Sequence, residues 1–231
     1  MLSSALALTL LAARVFWSRQ HAYFFLVWNL FLAWIPYGAT LAIRALHERK
    51  VRSSLLLPAF LFWLGFLPNA PYLVTDFVHL GFHDGAPLWF DAVMLASFAW
   101  AGVGLGAASL RGCSRVVRAR GGAWAAAAFV PLVALATGFG IYLGRFMRLN
   151  TWDVATQPGT VLVHVLSPLL HPFAHPRAWM ASFVFASFFV VATIAMGRSR
   201  SLYRVPPPAK RGSNEPPPSA RSSPTASIAG P

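Results

Sequence analysis

Long apolar stretches recur along this chain, most of them close to the roughly 20 residues that carry a helix across a hydrocarbon core of about 30 Å. They cover residues 2–17, 22–43, 54–74, 88–110, 123–143 and 178–196. In lipid every backbone polar group must be satisfied internally, which leaves helices or closed barrels. None of the stretches alternates apolar and polar residues as barrel strands do. The expected fold is therefore all-α, a polytopic transmembrane bundle of about six spans. Composition agrees: 57% of residues are hydrophobic and 11% charged, against about 25% charged in soluble domains.

The spans divide the chain into a helical domain, 1–197, and a basic tail, 198–231. The tail is rich in Pro and Ser, cannot bury a core, and is expected to be disordered. The first stretch is short and interrupted by Arg14. No basic residue precedes it, so it reads as a span rather than a secretory signal, with Arg14 snorkelling outward.

A formal net charge of +13 would suggest nucleic acid in a soluble protein. Here the basic residues sit between spans and in the tail, where they set topology. The segments 44–52 and 111–120 and the tail hold 14 of the 19 Lys and Arg residues. These segments are expected to be cytoplasmic loops, with both termini inside a bacterial inner membrane. The partners expected are the bilayer and anionic headgroups at the loops and tail, not nucleic acid. Cys113 is the single cysteine, so no intramolecular disulfide forms.

Groups able to bind metal or move protons concentrate on the opposite, outer side. Six of seven His lie there, with Asp76, Asp84, Asp91 and Asp153. His164, His171 and His175 flank prolines in an apolar segment and read as interfacial residues. The third stretch carries Pro68 and Pro71. Two prolines so close remove two backbone donors and are expected to push Leu67 and Ala70 toward extended geometry. Such breaks border binding sites in transporters, although a packed proline kink accounts for them equally. Beyond the break, Asp76, His79 and His83 are spaced by three and four residues. On a helix they share a face, a pattern that would suit a divalent metal. Asp76 at a helix end is equally well read as a cap. Gly102 with Gly106, and Gly140 with Gly144, form small-xxx-small pairs expected to pack spans four and five together.

Four strings carry a family resemblance: WNLFLAWIPY (28–37), WLGFLPNAPYLVTDFVHL (63–80), LWFDAVMLASFAWAGVGLG (88–106) and GIYLGRFMRLNTWD (140–153). Together they resemble the bacterial membrane proteins grouped as domain-of-unknown-function family 1361. The resemblance spans about residues 20–196 and implies a multi-span bacterial membrane protein, with no established activity. Phe90 stands where the family strings have Tyr.

Topology puts Asp76, Asp91, Arg145, Asn150 and Asp153 at one membrane boundary, with His79 beside them. An unpaired charge is costly there, so these groups are expected to form one cluster, with Arg145 meeting one of the three aspartates. The 68–71 segment should border the same pocket. Asp76, His79, Asp91, Arg145, Asn150 and Asp153 are thus the candidate catalytic residues, and Asp76, His79 and His83 the candidate metal ligands. A metal-dependent enzyme at the outer surface, a small-solute transporter and an assembly scaffold all remain open at this point.

Overall fold

The computed structural model describes residues 1–81, 85–149 and 152–202. His83, Asp84, Asn150 and the chain from 203 lie outside the described residues, so the expectations for His83, Asn150 and most of the tail rest on sequence alone. All regular structure among the described residues is helical. The main helices are α1 (Leu2–Ser18), α2 (Phe25–Glu48), α3 (Ser53–Phe66), α4 (Asn69–Tyr72), α5 (Leu88–Phe146), α6 (Asp153–Thr156), α7 (Pro158–Leu170) and α8 (Pro176–Leu202). A 3-10 turn, Leu73–His79, follows α4.

Four segments are long and apolar enough to cross a membrane: Phe25–Glu48, Ser53–His79, Leu88–Phe146 and Pro176–Gly197. The third is two spans. Gly122 has φ 81° and ψ −176°, a backbone state open mainly to glycine, and the helix bends there. A straight helix would hold Gly102 and Gly140 about 57 Å apart at 1.5 Å per residue, yet both touch the 68–70 segment. The arms 88–121 and 123–146 therefore run back along one another. With these arms counted apart, and the 17-residue α1 included, the fold is a polytopic helix bundle. Large apolar side chains cover its outside: Leu57 is 60% exposed and Trp100 64%. Patches of that kind suit lipid and would drive aggregation in water.

The basic stretch 111–120, expected as a loop, is helix throughout. Arginine is a good helix former, and the stretch holds no proline and only Gly112 before the Gly121–Gly122 pair. The first arm thus extends beyond the apolar run before it turns.

The proline-rich segment also departs from expectation. Leu67 keeps φ −56° and ψ −38°, and Pro68 keeps φ −56° and ψ −29°. The helix tightens instead of opening. Ala70 N–H donates to the Leu67 carbonyl at 3.1 Å, and the Asn69 side-chain amide donates to the Phe66 carbonyl at 3.0 Å. Short-range bonds of this kind replace the longer ones that proline removes.

What holds the segment is glycine. The nearest atoms to a side chain built at Gly102 are the Ala70 carbonyl oxygen and Leu73, and at Gly106 they include the Ala70 methyl. On the other arm, Gly140 meets the Pro68 ring and Gly144 the Tyr72 ring. The two glycine pairs therefore receive the 68–73 segment from either side instead of packing arm to arm. Lipid tails are as apolar as leucine, so this close approach supplies cohesion that hydrophobic burial cannot. α8 packs along α5 in the same way, with Gly138 against the Ser182 carbonyl.

Towards the other end, a buried polar knot ties α2, α3 and α5 together. Trp63 Nε1–H donates to Ser109 Oγ at 2.7 Å, and Ser109 Oγ donates to the Pro36 carbonyl at 2.9 Å. Thr40 Oγ1 lies 2.7 Å from the same hydroxyl. Cys113 is buried beside Thr40.

Candidate functional site

Helix alternation gathers the end of α1, the start of α2, the 3-10 turn, the start of α5 and its final turn at one end of the bundle. Two buried carboxylates sit there. Asp91 occupies the first turn of α5, where the helix dipole favours a negative charge. Its partner is Arg14, which is only 1% exposed. Arg14 Nε donates to Asp91 Oδ1 at 2.6 Å and Nη2 donates to Oδ2 at 3.1 Å, a bidentate pair. The guanidinium also lies 4.5 Å from the Tyr23 ring centroid. Arg14 therefore does not snorkel. Its apolar surroundings on α1 leave a carboxylate on a neighbouring helix as the better partner.

Asp76, 1% exposed, belongs to the 3-10 turn. Asn29 of α2 donates to its Oδ2 at 3.0 Å. Its Oδ1 is buried without a hydrogen bond, 3.7 Å from Arg145 Nη1. Arg145, on the last turn of α5, also donates from Nη2 to the Thr75 carbonyl at 2.9 Å and approaches the Tyr72 hydroxyl at 3.4 Å. Arg145 thus meets Asp76, one of its three expected partners, while Asp91 is taken by Arg14. The expected single cluster is two ion pairs. A side-chain to backbone bond joins them: Tyr23 O–H donates to the His79 carbonyl at 2.9 Å. Burial pushes the Tyr23 phenol up from its ordinary pKa, and the Asp91 carboxylate adds to the rise. The phenol therefore stays protonated and able to donate.

Of the proposed metal ligands, Asp76 and His79 have other neighbours. The His79 ring packs at 4.8 Å from the Phe25 ring, while Asp76 engages Asn29 and Arg145. Among the described residues no three His, Cys, Asp or Glu side chains group closely enough to hold a metal ion. Asp153 opens α6, half-buried, within 3.4 Å of the Thr156 hydroxyl. His175 Nε2 lies 2.8 Å from Ser167 Oγ, tying the start of α8 to α7.

Asn29, the donor to Asp76, also lines a cavity of about 470 Å³. α2, the 68–72 segment, the second arm of α5 and α7 wall it. Trp28, Tyr72, Phe139 and Trp152 supply aromatic faces, and Asn29 and Asn69 supply amides. Pro68 and Asn69 border this pocket, whereas Asp76, Asp91 and Arg145, which were expected around it, do not line it. Sequence reasoning assigned no site role to Arg14, Tyr23 or Asn29. A signal existed for Arg14, because a charge inside an apolar run demands a partner. None existed for Tyr23.

The fold and its paired charges define a polytopic helical membrane protein with a polar centre at one end of the bundle. The chain belongs to the family described as "Protein of unknown function (DUF1361)", whose family model matches residues 28–194. Asn29, Asp76, Asp91 and Arg145 fall inside that match, and Arg14 falls before it. No curated protein and no solved structure matches the chain.

Proposed function

We propose that this protein binds an amphiphilic molecule in the cavity lined by Asn29 and Asn69, with the apolar body against the aromatic wall and the polar group at the amides. The observation that carries this reading is the cavity's composition. It combines four aromatic residues with two amides, one of which, Asn29, also donates to the buried Asp76 carboxylate. Pockets for small molecules are mostly apolar, with a few polar groups that fix orientation. The metal-dependent enzyme, transporter and scaffold readings each need a further feature: converging ligands, a second opening or a partner.

Native mass spectrometry of the purified protein tests the proposal. An amphiphile should co-purify with the wild type and be lost from Ala136→Trp, which fills the cavity from an exposed position on its wall. Equal occupancy in a folded Ala136→Trp protein, or none in the wild type, would reject it.

We further propose a bacterial inner-membrane location, with the Asp76 end outside and both termini in the cytoplasm. The asymmetry of Lys and Arg supports this orientation. Reporters fused after Lys50 and Arg118 should report cytoplasm, and one after Gly159 the outside. An external signal at Arg118 would invert the assignment.

A further inference from the structure

At the opposite end of the bundle, the bend of α5 frames an open cavity of about 420 Å³. Arg111, Ser114, Arg115 and Arg118 line it from the first arm, and Thr193 lines it from α8. Offsets of four and seven residues put the three arginines on one helix face. Arg115 and Arg118 are exposed, and like charges at that spacing repel modestly in the absence of a counter-charge. Among the described residues Arg115 and Arg118 have neither an ion pair nor a hydrogen bond. Arg120, by contrast, is tied to His47, Ser53 and the Val51 carbonyl. Arg111 is oriented by the Thr193 carbonyl, which accepts from its Nη1 at 2.8 Å.

Thr193 supplies an independent observation. The residue is 6% exposed, it lines this cavity, and its Oγ1 has no hydrogen-bond partner. A buried hydroxyl without a partner is costly unless something else accepts from it. The exposed arginines can take a phosphate oxygen at the cavity surface, and the enclosed hydroxyl can donate to one only once its side chain turns toward the cavity. The remaining wall is apolar and made mostly of small residues on the second arm, Ala126 and Ala127 leading to Val130. Small side chains there would let a hydrocarbon chain lie close against the second arm.

We propose that this cavity binds an anionic phospholipid, its phosphate held by Arg111, Arg115, Arg118 and Thr193 and one acyl chain along Ala126 and Val130. The site is separate from the cavity lined by Asn29 and Asn69 and does not depend on what that cavity binds.

The test uses the full-length protein in detergent, titrated with dioleoylphosphatidylglycerol, dioleoylphosphatidylcholine or inorganic phosphate, with binding read by native mass spectrometry and thermal unfolding. The anionic lipid should bind at least about tenfold tighter than the zwitterionic one, and inorganic phosphate should not protect at matched concentration. The Arg115→Gln/Arg118→Gln protein should lose roughly thirtyfold in affinity for the anionic lipid. An Arg49→Gln/Arg52→Gln control removes the same charge from a neighbouring exposed stretch and should change affinity by about twofold or less. Three results would overturn the proposal. They are equal affinity for the two lipids, equal protection by inorganic phosphate, and equal loss in the control variant. The wild-type arms decide between lipid and free anion even if a variant fails to fold.

Discussion

Replacing Arg14 with Ala is expected to destabilise the protein by about 3–5 kcal/mol, because it leaves Asp91 charged, buried and without its partner. Both side chains of the pair are almost fully enclosed, and the geometry is bidentate. Breaking such a pair strands a charge, whereas replacing both members with apolar groups strands nothing. Arg14→Met combined with Asp91→Leu should therefore recover most of the loss, since apolar replacement of whole buried pairs is often neutral or better. Reversible unfolding in mixed micelles measures both variants. If the single substitution costs under about 0.5 kcal/mol, as is usual for surface changes, Arg14 reaches lipid headgroups and the pairing is wrong.

The glycines that receive neighbouring backbone form the second large effect. A Cβ at Gly102 would collide with the Ala70 carbonyl, and one at Gly138 with the Ser182 carbonyl. Neither obstacle is the flexible end of a side chain, so the helices themselves must separate. Gly102→Ala and Gly138→Ala should each cost about 1–3 kcal/mol through overpacking. Leucine at either position should abolish the folded bundle. Gly104 and Gly38 provide the internal control, since nothing lies within 4 Å of a Cβ built there. Alanine at those positions should be neutral or stabilising by about 0.5–1 kcal/mol, the helical preference for Ala over Gly. Similar losses at all four positions would mean that the close approaches are not what holds the bundle.

These two effects differ in how far they could be read beforehand. The glycine pairs were visible as a spacing, and so was the need for close packing. Their partner was not. A small-xxx-small pattern says that some backbone approaches, and only the tertiary arrangement shows it to be the 68–73 segment, held between the two arms of α5. The proline pair likewise marked this segment as unusual. Its geometry was decided by its neighbours, because a helix clasped on both sides tightens instead of opening.

The sequence by itself determined the apolar spans, the helical class, the asymmetry of basic residues and the need for Arg145 to meet a carboxylate. Each follows from local quantities: the length of an apolar run, the position of a charge, the cost of leaving that charge unpaired. Tertiary structure alone decided that Arg14 and Asp91, 77 residues apart, are partners. It also decided that Asp76 rests between Asn29 and Arg145, and that arginines expected in a loop line a cavity on a helix. A charge near lipid must find an opposite charge or a headgroup, and the chain offers several of each. Which one it finds depends on which helix backbones come close enough for their side chains to touch, and that is a property of the packed bundle.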